Sequence, residues 1–282
     1  MRKLVVSEMM TLDGVMSFWS RGGRTDRGAY IVGALLLVSG LIHLAVLIIS
    51  RGSWTGPLSL RKPTTFGLSF GLTLISVTWV ASFLRLSERA RVVLLGAFTV
   101  ACALETVLVT LQAWRGAPSH FNLETPFDAV VARALAAGGF TLAAVVVVMT
   151  VAAFRTNPTV PISLRIAIQI GFVALAGAMF VGAIMIVKGM RLVFAGDPSG
   201  AYRVGGALTP THAALMCGIL VLPMLAWLLS FASWSEPRRL AVVLVVSVSY
   251  IALTSAIAFR NIAGVTLRRE GLTSFDIETG VP

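Results

Sequence analysis

Apolar residues in this chain come in unbroken stretches of about 20, the length a helix rising roughly 1.5 Å per residue needs to cross a hydrocarbon core about 30 Å thick. Seven such stretches are legible, over residues 30–49, 66–84, 92–113, 129–153, 164–187, 211–231 and 240–260. The pattern predicts an all-α bundle of seven transmembrane helices spanning residues 29–261, with an N-terminal segment at 1–28 that is poorly ordered and a C-terminal tail at 262–282. Helix starts carry local signals. Thr125, Pro126 and Asp128 supply an N-cap, a first-turn proline and a capping-box acid, and Thr209 with Pro210 repeats the pattern before the sixth span. Four exits pair a cation with a residue tolerant of left-handed backbone: Arg51-Gly52, Arg115-Gly116, Lys188-Gly189 and Arg260-Asn261 end the first, third, fifth and seventh spans.

Composition agrees with the pattern. The 282 residues are 57% hydrophobic and 12% charged, with a mean hydropathy of +0.89, whereas a soluble domain carries about 25% charge. A soluble globule is excluded. No segment outside the spans is long enough for a folded domain, so any chemistry sits in the membrane or at its surface. The connections at 50–65, 114–128 and 188–209 are long and all lie on one side, the long-loop face, where function more often resides.

Lys and Arg number 23 against 12 Asp and Glu. They are scattered at helix ends rather than clustered among aromatics, which excludes a nucleic-acid footprint. Discounting cations that cap helix ends, the positive-inside bias places the N-terminus in the cytoplasm and the chain in the inner (plasma) membrane. Cys102 and Cys217 fall inside apolar stretches and read as buried thiols, with no disulfide or zinc framework.

The opening MRKLVVSEMMTLDGVM, residues 1–16, resembles the first strand and turn of the dihydrofolate reductase-like domain at the C-terminus of bacterial riboflavin-pathway reductases. The resemblance ends at Ser17 and no cofactor-binding glycine loop follows. It implies no reductase activity, and the expectation is a gene-boundary relic or a mis-assigned start. In the helical body, GPLSLRKPTTFGLSFG and QAWRGAPSHFNLETPFD resemble a family of uncharacterised bacterial membrane proteins, which implies no activity. IISRG and MIVKG, at the ends of the first and fifth spans, echo one another. A three-plus-one-plus-three layout, as in seven-helix sugar transporters with parallel repeats, would pair those two helices, although helix capping explains the echo equally well.

Ionisable residues inside a bilayer are costly and mark candidate sites. His43, Glu105, Arg133 and His212 all fall in one layer, roughly 3 to 12 Å beneath the long-loop face by helical rise. Glu105 and Arg133, on sequential antiparallel helices, are expected to form a structural ion pair or an anion anchor. His212, near a helix N-terminus, is expected to stay neutral, the form that ligates zinc, copper or haem iron. With His120 in the loop after the third helix, within PSHFN, these residues form a candidate ligand set: His43, Glu105, His120 and His212. Arg61 and Lys62, ahead of the second span, are candidates for a head group or phosphate. Polar stripes at Ser39, His43 and Ser50 and at Cys102, Glu105, Val109 and Gln112 suggest a lined cavity shared by His43 and His212. Gly67 with Gly71, and Ala174, Ala178 and Gly182, read as helix-packing surfaces.

Three function classes follow. The first is a metal- or haem-binding redox component built on the His/Glu cluster. The second is a small-molecule or ion transporter using the same polar core. The third is a metal-dependent membrane hydrolase, suggested by the S-x3-H of Ser39 and His43 but lacking the H-x3-H such enzymes carry on their last helix.

Overall fold

The computed structural model describes residues 23–56 and 58–278; the resemblance at residues 1–16 lies outside them. The helices are α1 (Arg24–Ile49), α2 (Arg61–Ala81), α3 (Glu88–Trp114), α4 (Pro126–Ala153), α5 (Ile162–Phe194), α6 (Pro198–Gly206), α7 (Thr209–Leu229) and α8 (Glu236–Glu278). Among the described residues, seven helices are long and apolar enough to cross a membrane, α8 contributing Glu236–Ala263. The chain is a multi-pass helical membrane protein. Its outer surface carries Leu35, Val93, Val100, Phe140, Phe180 and Val245 well exposed, side chains that hydrocarbon accepts and water would not.

Helices begin earlier than the apolar runs because their first turns are polar yet helical. Ser87 caps α3 by accepting from the Ala90 N–H, and Thr125 caps α4 by accepting from the Asp128 N–H at 3.1 Å, with Pro126 in the first turn. Three expected ends are corrected. Thr209 is already helical, and Leu208 occupies the cap position with no side-chain bond, because α6 runs almost directly into α7. Lys188-Gly189 lies inside α5, which continues to Phe194, so Gly189 serves packing rather than termination. Arg260-Asn261 likewise lies inside α8, and much of the expected tail at 262–282 is helix. At the other two exits the left-handed turn is present: Arg51 has φ 49° and Gly116 φ 65°.

The seven spans form two similar three-helix units joined by α4. In the first, α1 packs closely on α2, and α3 lies against both; in the second, α5 packs closely on α7, and α8 lies against both, while α4 bridges α3 to α5. Equivalent atoms do equivalent work. A Cβ added to Gly33 would stand 3.2 Å from the Gly71 carbonyl oxygen, and one added to Gly171 would stand 3.2 Å from that of Gly218. Ser82 donates to the Trp79 carbonyl at 2.6 Å and Ser230 to that of Trp227 at 2.5 Å. Thr106 donates to the Cys102 carbonyl at 3.0 Å and Thr254 to that of Tyr250 at 2.9 Å. Each unit has an arginine, Arg91 or Arg239, that reaches back to a carbonyl at the end of the preceding helix, Ala81 at 2.8 Å or just past it, Ala232 at 2.6 Å.

The units meet where α2 contacts α7. Trp79 packs edge-on against Phe83 at 5.4 Å and Trp227 against Phe231 at 4.9 Å, and the two tryptophans touch each other at 6.0 Å between centroids. This aromatic quartet sits near the short-loop ends of α2 and α7, on the local two-fold relation between units. Beside it one continuous core runs through both units, including Leu74 and Leu222 at 0% exposure.

Candidate functional site

The scaffold repeats, but the chemistry is carried mainly by the first unit and the loop after it. Residues 115–125 fold back over the start of α2 as a strap. Asp128, buried at the first turn of α4, holds the strap's two ends: its carboxylate accepts from Gln112 Nε2 at 2.8 Å, Arg115 Nη1 at 2.8 Å and Thr125 Oγ1 at 2.7 Å. These bonds also satisfy Gln112, which is fully buried near the end of α3.

Under the strap lies a cation. Lys62 Nζ is 3.4 Å from Ser119 Oγ and 5.5 Å over the Tyr202 ring, half-buried, and no described carboxylate pairs with it. Beside it the Arg61 Nε is buried without a hydrogen-bond partner. Ser119 in turn bonds His120 Nδ1 at 3.0 Å, and the His120 ring lies between Phe66 and Phe121. Burial, and then the nearby Lys62 charge, push the His120 imidazole down to about 3, so the ring is neutral at physiological pH. Phe121 takes a left-handed backbone, φ 63°, costly for a bulky residue. Its ring is seated against Gly189 of α5 and against Tyr202 of α6 at 5.9 Å, and a Cβ on Gly189 would collide with it. Asp197 caps α6 by accepting from the Gly200 N–H and Ser199 Oγ, bonds that hold its carboxyl below the usual range. The strap therefore ties α2, α5 and α6 together around an uncompensated cation at the positive end of α2, an arrangement suited to an anion.

Each histidine has a definite place. His43 is buried with both ring nitrogens engaged: Nδ1 lies 2.7 Å from the Ser39 carbonyl oxygen and must carry the proton, so Nε2 accepts from Trp114 Nε1 at 3.0 Å. His212 donates Nδ1–H to the Ala178 carbonyl of α5 at 2.7 Å and packs on Gly182. The two rings are thus pinned to different helices, α3 for His43 and α5 for His212, rather than to one another. Among the described residues no group of three or more His, Cys, Asp or Glu side chains could hold a metal ion.

The expected ion pair is corrected. Glu105 is 4% exposed and its Oε1 has no hydrogen-bond partner, while Arg133 is exposed on the outer face of α4. Glu105 is turned towards Gly138, whose added Cβ would stand 2.6 Å from that oxygen. Arg133 is five residues away along α4, which at 100° per residue puts it on a different side. Cys102 is buried as expected, but Cys217 is exposed on the lipid side. Lys62 and His120 are legible as candidates in the sequence, but their partners Ser119 and Tyr202, and Asp128 as the hub of the strap, are not. The signal available was the run of polar residues in a loop between two long helices.

No family model, curated protein or solved structure matches the chain.

Proposed function

We propose that the chain is an inner-membrane transporter of a small anionic solute, with its N-terminus in the cytoplasm and the strap on the outer face. The observation that carries this reading is the duplication. Two three-helix units of one architecture, joined by a single bridging helix and meeting along α2 and α7, have the layout in which one repeat rocks against the other about a central pathway. Trp79 and Trp227 would close the short-loop end of that pathway. Lys62 with Arg61 would receive the solute at the long-loop end.

The redox reading ranks lower on the same geometry. His43 has no free nitrogen, and His212 offers only Nε2. The hydrolase reading also loses its histidine to Ser39 and Trp114. A purified preparation with a Soret band, or with stoichiometric zinc or copper, would reverse this order.

Leu74 and Leu222 are equivalent positions buried in the core shared by both units. With Cys102 and Cys217 replaced by alanine, Leu74→Cys and Leu222→Cys in membrane vesicles should react with a membrane-impermeant thiol reagent. Joining the two units with a thiol cross-link at positions 79 and 227 should slow that reaction. A rocking transporter brings both positions into contact with water, and a solid bundle never does. Both thiols remaining unreactive from either side of the membrane would contradict the proposal.

A further inference from the structure

Glu105 is a buried acid with no ion pair among the described residues. It sits on α3 eight residues or so before the long-loop end, 4% exposed, with Oε1 unpartnered. On its own helix the nearest titratable side chain is Cys102, one turn away and fully buried. From α4 it meets Gly138 and Gly139, neither of which has a side chain, and Arg133 points elsewhere. From α1, His43 is committed to Ser39 and Trp114. No described ion pair brings a cation to it from α2. A carboxylate with one buried oxygen unpartnered costs far more in such surroundings than the neutral acid.

The seam it occupies is not closed to the membrane. On the lipid side of α3 and α4 lies a groove of about 370 Å³ lined by Gly96, Ala97, Val100, Leu104, Ala137 and Thr141, with Gly138 at its inner edge. Val100 is 67% exposed and Leu104 37%. The small residues let a thin layer of protein separate the carboxyl from hydrocarbon, and Gly138 is the contact point of both. The equivalent of Glu105 in the second unit is Leu253, 61% exposed. Among the described residues no bridging helix covers that face, whereas α4 lies over Glu105.

We propose that Glu105 is a proton-binding site set in the α3–α4 seam, neutral while Gly138 packs on it and able to release its proton to water when the seam loosens. Its use as the coupling proton rests on the transport reading. The site itself does not, since it stands on the burial of Glu105 and its unpartnered Oε1.

A hydrophobic carbodiimide tests this directly in membranes containing the full-length protein. The neutral acid adds across the carbodiimide, its proton going to one nitrogen and its oxygen to the central carbon. An acyl shift to nitrogen then leaves a stable adduct without loss of any atom. Mass spectrometry should place the adduct on Glu105 at neutral pH. The labelling rate should fall about tenfold per pH unit once the acid ionises at alkaline pH. Glu105→Gln, which keeps the shape, should abolish that adduct and leave the protein monodisperse. Absence of the adduct at every pH, or a labelling rate indifferent to pH, would overturn the proposal. The outcome is independent of the thiol experiment at Leu74 and Leu222. An unlabelled Glu105 in a protein whose thiols see water removes the proton site and keeps the transporter. A labelled Glu105 in a protein whose thiols never see water keeps the proton site and removes the transporter.

Discussion

The two three-helix units share a backbone and differ in what that backbone holds. His43 in the first unit corresponds to Val181 in the second, Lys62 to Thr209, Phe66 to Ala213 and Glu105 to Leu253, when Gly33 is matched to Gly171, Pro63 to Pro210 and Thr106 to Thr254. Packing groups repeat because the helix crossings demand them. Arg91 and Arg239 repeat with the packing, but Lys62 and Glu105 do not, since each needs a neighbour that only one unit possesses: the strap for Lys62, and α4 for Glu105. The bridging helix is thus more than a linker. It makes one unit of a duplicated scaffold chemically different from the other.

The two crossings are not built alike. At α1 and α2 the contact is backbone on backbone, a Cβ on Gly67 standing 2.6 Å from the Gly40 nitrogen and 2.8 Å from the Leu36 oxygen. At α5 and α7 a Cβ on Gly171, the counterpart of Gly33, would stand 3.1 Å from Ile219 Cα, and the closest approach is to a side chain rather than backbone, a Cβ on Gly218 standing 2.7 Å from the Ala174 Cβ. Gly67→Ala should therefore cost about 3 kcal/mol or more, read as loss of monodisperse protein in detergent, and Gly171→Ala distinctly less. Equal losses would mean that the two crossings are energetically alike.

The strap comes next. Removing its hub with Asp128→Ala leaves Gln112, Arg115 and Thr125 without their shared acceptor, and trypsin should cut at Arg115 about tenfold faster. The second unit's nearest analogue is Glu236, which accepts from the Ser163 N–H at 2.8 Å at the short-loop face. Glu236→Ala should leave cleavage at Arg115 unchanged, and faster cutting in both variants would show that the strap answers to general destabilisation.

A smaller, pH-dependent effect follows from His120. Its folded-state value of about 3 lies below the unfolded value of roughly 6.5. The unfolded chain binds more protons between those limits, so the stability this ring confers is complete above about pH 6.5 and is lost as pH falls towards 3. Thermal midpoints of the wild type should decline over that interval, and His120→Gln should flatten the decline. His212, held by the Ala178 carbonyl in the other unit, offers the matched control: His212→Gln should leave the strap's protease resistance at low pH as it is.

The smallest effect is a gain. A Cβ on Gly177 would meet Leu215 side-chain atoms at 3.5 and 3.6 Å, ordinary contact distances. Gly177→Ala should therefore stabilise α5 by up to about 1 kcal/mol. Its counterpart in the first unit is Ser39, and the neighbouring Gly40 at the tight crossing has no such room, with the Leu68 nitrogen 2.7 Å from an added Cβ.

Much of the scaffold is legible in the apolar runs, because a bilayer imposes span length on the sequence. Helix ends are less so: polar first turns such as Arg24 to Asp26 are helical yet too hydrophilic for a hydropathy window, and Gly189 reads as a stop while its missing side chain in fact makes room for Phe121. The echo of IISRG in MIVKG lies one residue off the register that packing uses. The true repeats are Thr78 to Phe83 with Ala226 to Phe231, TWVASF and AWLLSF, and Pro63-Thr64 with Pro210-Thr211. They are disguised because Trp227 follows Gly218 by nine residues where Trp79 follows Gly71 by eight, the extra residue falling in the stretch that contains Pro223. At the site, depth along a helix is readable and azimuth is not. Glu105 and Arg133 share a layer without sharing a side, and His43 and His212 share one while bonding different helices.

The two equivalent units meet at Trp79 and Trp227. In protein lacking Cys102 and Cys217, the pair Trp79→Cys and Trp227→Cys in native membranes should join rapidly within one chain through a short bis-maleimide. Trp79→Cys paired with Leu228→Cys, one residue on and 50% exposed to lipid, should join slowly. Equal rates for the two pairs, or no intramolecular product from the first in protein that remains monodisperse, would contradict the arrangement of α2 and α7 on which the whole account depends.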